Sequence, residues 1–359
     1  MGKLDKAKDD LLERAAVVCA KPEAVDYLRL YYRQVAPEDL LVRDPADVCG
    51  PAMAHRHLAE ERPAGEMKLR VFTPTLEEYG WDPGHTVLQA VSDDMPYLID
   101  SITMELNRHN LSVHLIVHPL IGVDRTPDGR LEGVRNSRDL PDDIDESWIH
   151  IEIDRTTDPA KLAELDQDVR RVMHDVRVSF EDEPMMRSLA GQIALEVTEK
   201  APPLPDKEIA ESVELLDWLS DGHFTFLGYR DYDLSDDGTA LKSVSGSGLG
   251  ILRGDTGESG SFAVLPPEVR ARAREPRMLI LTKANSRATV HRPHYLDYIG
   301  VKRFNETGEV IGERRFLGLF THVAYSESIS HIPVLKRKVD EMLERAEFSP
   351  DSYDGQDLI

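Results

Sequence analysis

Between His85 and Phe180 the hydrophobic spacing switches from two to four and back, and this alternation constrains the fold more than any other feature of the chain. Thr86-Val87-Leu88-Gln89-Ala90-Val91 reads as a strand and Ser92-Asp93-Asp94-Met95-Pro96 as a helix entry, with Asp94 the predicted N-cap and Pro96 in the first turn. Leu98, Ile102 and Leu106 then fall on one helical face, Asn110 suits a left-handed stop, and Leu111 to His118 reads as a second strand. Pro127-Asp128-Gly129 predicts a turn, Trp148-Ile149-His150-Ile151-Glu152-Ile153 alternates as a strand, and Asp158-Pro159 opens a helix that runs past Val169 and Val172. Strand, helix, strand, strand, helix is the order of half or more of a ferredoxin-like α/β sandwich.

The flanks differ from this core. Leu4, Leu11, Ala15 and Val18 recur at helical spacings and Asp44-Pro45 can start a further helix, so residues 1–80 read as a helical packing or interface segment. Downstream, a helix through Ile209, Val213 and Leu216 ends at Asp221-Gly222, and Phe224 and Phe226 enter a strand that turns at Asp237-Gly238. Strands at 278–282, 298–301 and 315–320 follow, the last two joined through Thr307-Gly308, and Pro333 admits a helix through Leu335, Val339 and Leu343 before a polar tail from Ser349. The expected class is α+β: a helical segment (1–80), a ferredoxin-like sandwich (81–190), a second antiparallel-sheet sensory-type unit (191–325), and a helix with linker (326–359) leading to a missing downstream part.

Charge and motifs narrow the function. A formal charge of −23 repels nucleic-acid backbones, and no apolar run reaches the roughly 18 residues of a membrane span. The charged start carries no secretory pattern, so cytoplasmic residence is expected, and Cys19 and Cys49 are expected to pack as small apolar groups. Gly246-Ser247-Gly248-Leu249-Gly250-Ile251 departs from a dinucleotide fingerprint at its sixth position and leaves no room for the following helix; a flexible loop is expected. His114, His118 and His150 could be set against a metal, but their spacing favours structural roles and no metal site is assigned. Between Pro266 and Arg315 eleven basic residues stand against six acidic ones, and Lys283, Arg287, Arg292, Arg314 and Arg315 form a candidate anion-binding or domain-docking face. No catalytic nucleophile–base or carboxylate pair can be assembled from spacing.

The run Ser92-Asp93-Asp94-Met95-Pro96-Tyr97-Leu98-Ile99-Asp100-Ser101-Ile102-Thr103-Met104-Glu105-Leu106, with Leu115-Ile116-Val117-His118-Pro119, resembles the N-terminal region of the large bacterial NAD-specific glutamate dehydrogenases. Asp221 to Arg230, Gly246 to Gly250, Thr282 to Arg292 and Gly312 to Phe320 carry the same resemblance, in the same order, over about residues 66 to 345. It implies that the sandwich at 81–190 is ACT-like and the second unit at 191–325 PAS- or ACT-like, together a regulatory or oligomerising portion of a polypeptide whose downstream catalytic domain deaminates L-glutamate with NAD. It also implies a homo-oligomer, no cofactor in this segment, and an amino-acid effector as candidate ligand. ACT domains that bind an amino acid do so near the turn from first strand to first helix, which assigns Asp93, Asp94, Met95, Pro96 and Tyr97 as ligand-binding candidates: helix-start N–H groups for a carboxylate, Asp93 or Asp94 for an ammonium. A purely structural assembly arm and an unrecognised enzyme on the basic sheet are the competing readings.

Overall fold

The computed structural model describes residues 2–19, 24–136, 145–254 and 262–346. Two compact units divide the chain, Met1–His174 and Asp175–Ile359. Among the described residues no helix is long and apolar enough to cross a membrane.

The first unit starts with α1 (Lys3–Val18), α2 (Ala24–Tyr31), α3 (Pro37–Leu41) and α4 (Pro45–Leu58), the last entered through Asp44 and Pro45 as expected. Strand β1 (Lys68–Phe72) and a single turn, α5 (Leu76–Tyr79), follow, so residues 1–80 are not wholly helical. Then come β2 (Thr86–Asp93), α6 (Leu98–Arg108), β3 (Val113–Val117), β4 (Leu120–Arg125), β5 (Leu131–Asn136), β6 (Asp145–Ile153) and the 41-residue α7 (Pro159–Glu199), which continues past His174. Both β2 and β3 pair antiparallel with β6, so they run parallel to each other with β6 between them and α6 as their crossover. That is the split βαβ core of a ferredoxin-like sandwich. The strand on the far side of β2 is β1, which precedes the core in sequence.

Helices α1 to α4 cover one face of this sheet: their Leu11, Leu28, Tyr31 and Val48 share a core with Val91, Leu115, Ile121 and Trp148. By strand alternation Leu88, Ala90, Ile149 and Ile151 take the other face, and α6 and α7 bury Ile102, Leu106, Val169 and Val172. A sheet buried on both faces has no wet side, so His150 and Glu152, polar at every second position of β6, are 1% and 0% exposed. Cys19, one residue beyond α1, is disulfide-bonded to Cys49 of α4 across 5.9 Å between Cα atoms. This corrects the expectation of two free apolar thiols: both do pack on the helical core, and helix pairing brings them together.

The second unit takes up α7 and continues through α8 (Asp206–Trp218), a π-helical turn at 219–223, β7 (Phe224–Leu234), β8 (Ala240–Ser243), β9 (Leu249–Gly250), β10 (Phe262–Val264) and α9 (Pro267–Arg274). It closes with β11 (Leu279–Arg287), β12 (Tyr295–Phe304), β13 (Val310–Phe320), α10 (His322–Ser326) and α11 (Leu335–Ala346). The sheet order is β10-β8-β7-β13-β12-β11 and every described ladder is antiparallel. Met186, Ile193, Leu216, Phe226, Ile299 and Phe316 make one core of α7, α8 and the sheet. The expected turns at Gly238 and Gly308 have φ of 66° and 84°, open to glycine without strain. The polar tail from Ser349 lies outside the described residues.

Candidate functional site

The turn from β2 to α6 departs from its predicted capping. Asp94 is not the N-cap; Tyr97 is, with φ of 70°, and its own side chain makes no capping bond. Asp94 Oδ1 instead accepts from Ser147 Oγ at 2.8 Å, and Ser147 Oγ also lies 2.9 Å from His118 Nε2. Met95 is buried and Pro96 exposed. Asp93 accepts from Arg62 Nη2 at 2.9 Å, and Arg62 is 1% exposed. Asp93 is thus part of an ion cluster that reaches into the sheet rather than a separate rim carboxylate.

Glu146 is the centre of that cluster. Arg62 and Arg125 each bond its carboxylate twice, between 2.7 and 3.0 Å, and Trp148 Nε1 donates at 3.0 Å. Burial alone would raise its carboxyl; the two guanidinium groups hold it below its ordinary value. Six residues on, Glu152 is clasped by Arg43 through bonds of 2.6 and 2.8 Å, with His150 Nε2 at 3.5 Å. Burial opposes its charge, yet the imidazole and the guanidinium bring its carboxyl down to about 2. Gln89 Nε2 donates to Pro51 O and His150 Nδ1, and His55 Nε2, 3.0 Å from Ala90 O, must donate because a carbonyl can only accept. His55 Nδ1 is then the acceptor for Tyr31 OH at 2.8 Å, and complete burial keeps the ring neutral by lowering its pKa well below the ordinary value. Sequence reading missed this layer because β6 shows only alternation; nothing local says that four helices cover its polar side.

The three histidines weighed for a metal do not converge. His114 bonds Asp154 at 2.8 Å and stacks on His85, His118 faces Ser147, and His150 sits between Gln89 and Glu152. Among the described residues one group has ligand atoms close together: Glu105 and His109, one turn apart on α6, with Asp168 of α7. Arg108 bridges Glu105 and Asp168 at 2.5 and 2.6 Å, and Arg171 approaches both. Those cations already supply the countercharge a metal would bring, so the group acts as an ionic clasp between helices. The i,i+4 spacing of Glu105 and His109 was its one sequence signal.

The five basic candidates of the second unit are not on one face. Register places Lys283 opposite Asp297, which it bonds at 2.7 Å, and Arg314 reaches Glu196 of α7. Arg315, the next residue, points oppositely, bonded to Glu313 and held between Tyr232 and Tyr298 at 3.9 and 4.8 Å from the ring centres. Arg287 lies over Tyr295, and Arg292 bonds Phe320 O beside Tyr325. Gly246 to Gly250 is not a loose loop: β9 pairs with β7, a Cβ on Gly250 would meet Leu227 O at 2.1 Å, and Gly250 N–H donates to Asp182 at 2.8 Å. Protein backbone and a carboxylate take the space and donor that a pyrophosphate would need, so this segment does not fit NAD.

A split-βαβ sandwich buried under a helical layer, followed by a second, antiparallel sheet, defines an ACT-containing α+β protein. Residues 27–169 match the family model described as glutamate dehydrogenase, ACT1 domain, and residues 332–359 the one described as glutamate dehydrogenase, helical motif 1. The first match begins inside the helical segment, in line with a layer that is part of the sandwich. The NAD-specific glutamate dehydrogenase of Halomonas elongata is 34% identical, covering 99% of this chain and 23% of that protein. Those of Pseudomonas aeruginosa and Mycobacterium tuberculosis are 31% and 30% identical, covering 94% and 88% of this chain and 21% and 18% of theirs. The chain is an N-terminal region of the NAD-specific glutamate dehydrogenase family, and it spans about a fifth of the length of these relatives.

Proposed function

We propose that these residues form the regulatory and assembly portion of an enzyme that oxidatively deaminates L-glutamate with NAD in the cytoplasm, the chemistry residing in another part of the same polypeptide. The observation that carries this reading is the ACT1-type sandwich itself, matched over residues 27–169, in a chain whose glycine-rich segment is filled by its own backbone. In this reading the strand-to-helix turn Asp93–Tyr97 receives an amino-acid effector and the chain associates with further copies. The start of α6 offers N–H groups to a carboxylate, and Asp94, exposed and bonded to Ser147, suits an ammonium better than Asp93, which Arg62 engages.

The direct test is an assay of the 359-residue chain with glutamate and NAD. No NADH formation is expected; turnover abolished by a point change within the chain would overturn the reading. Calorimetric titration with common amino acids, repeated on Asp94→Asn, tests the effector site at the turn.

A further inference from the structure

The second unit contains a cavity of about 490 Å³ unrelated to the turn of the first. Leu215 and Trp218 of α8, Leu281 and Ile299 of the sheet, Phe320 at the end of β13 and Leu335 at the start of α11 give it apolar walls. Leu281 and Leu335 are 44% and 42% exposed, so the described residues leave part of this apolar surface uncovered. Ligand pockets of roughly 300–1,000 Å³ combine such walls with a few placed polar groups.

Three charged residues line the cavity: Lys283, Asp297 and Lys338. Asp297 offers a ligand no oxygen, because Oδ1 accepts from Lys283 Nζ at 2.7 Å and Oδ2 is buried. The lysines are open. The Lys283 side chain is 54% exposed and commits one of its three ammonium hydrogens to Asp297. Lys338 is exposed, and its ammonium has no hydrogen-bond or ion-pair partner among the described residues. Two lysines against one aspartate leave a single positive charge, which one negative charge on an otherwise apolar molecule would match.

We propose that this cavity binds a medium-chain monocarboxylate, its hydrocarbon body between Trp218, Ile299 and Phe320 and its carboxylate drawn to the ammonium groups of Lys283 and Lys338. The body supplies the affinity, since each CH₂ moved from water onto apolar walls tightens binding roughly fourfold. The lysines supply the choice of sign, since an amine of the same shape would meet their like charge.

The experiment is calorimetric titration of the 359-residue chain with acetate, butanoate, hexanoate and octanoate, and with octylamine and L-glutamate. Octanoate is expected to bind saturably, and affinity to rise roughly fourfold per CH₂ from butanoate onwards. Acetate and glutamate, which bring no apolar body, and octylamine, which brings the wrong charge, should each bind at least about 10-fold more weakly than octanoate. Lys338→Gln, at an exposed position, should weaken octanoate about 2- to 5-fold and tighten octylamine; adding Lys283→Gln should bring the loss to about 10-fold. Lys283→Gln strips Asp297 of its partner, so melting curves check that the double variant folds; where it does not, Lys338→Gln and the ligand series on the unaltered chain decide. No saturable binding of octanoate, affinity that does not rise with tail length, octylamine or glutamate bound as tightly as octanoate, or octanoate binding unchanged in the folded lysine variants would overturn the proposal. Because the readout is binding at this cavity, failure leaves the dehydrogenase reading, tested by turnover, where it stood.

Discussion

At the scale of single residues, apolar positions were legible and buried polar ones were not. Leu98, Ile102 and Leu106 are 2%, 0% and 0% exposed, as their spacing predicts, and Asn110 takes the left-handed conformation with φ of 55°. Ile102→Ala should cost about 2–5 kcal/mol in denaturant melts; a loss near the ~0.5 kcal/mol of surface changes would mean that the helix face is misassigned. His55 illustrates the opposite case, since its neutral, doubly bonded ring depends on partners 24 and 35 residues away. Its folded pKa lies below that of an unfolded histidine, about 6.5, so the unfolded chain takes up a proton that the fold refuses. Stability from this group is complete above about pH 6.5 and falls below it by up to ~1.4 kcal/mol per pH unit. Melts at pH 8 and 5.5 should show a shallower loss for His55→Asn than for the unaltered chain, and equal slopes would refute the assignment. Glu152 acts in a lower window: with its carboxyl at about 2, its contribution is complete above the unfolded value of about 4.3 and disappears as pH falls through 2.

At the scale of elements, type was legible where the pattern was local and pairing was not. The helices through Leu11 and Ile209, the hairpin turns at Gly129, Gly238 and Gly308, and the strands around Phe224 and Leu317 all follow from short-range signals. Strand β1 escaped because a five-residue run inside a helical stretch carries too little period, and the Asp94 cap because Tyr97 reverses the backbone three residues later. The Cys19–Cys49 bond shows the same limit: two cysteines suggest no framework, yet packing of α1 against α4 joins them. The bond closes a loop of 30 residues, for which chain entropy gives about 3–4 kcal/mol. Cys49→Ser, or a reductant of cytoplasmic strength, should lower the melting temperature correspondingly; identical melts with and without dithiothreitol would show that the two thiols stay free in solution.

At the scale of the whole chain, charge and family were legible and the split of the basic face was not. Arg314 and Arg315 are neighbours in sequence, and only the knowledge that they lie in one strand sends them to opposite sides. A charge of −23 repels itself, so raising ionic strength from about 10 to 150 mM, which shortens the screening length from roughly 30 to 8 Å, should raise the melting temperature. A fall would mean that the ion clusters around Glu146 and Glu152 are screened more than the repulsion is. The position of β1 has a temporal consequence. In the first unit the edge strand beside β2 is made before the split βαβ core, so when the ribosome has released the early turns of α7 every strand of that sheet already exists. The sandwich waits for nothing later in the message, and its hydrophobic edge is covered while the rest of the polypeptide is still being translated.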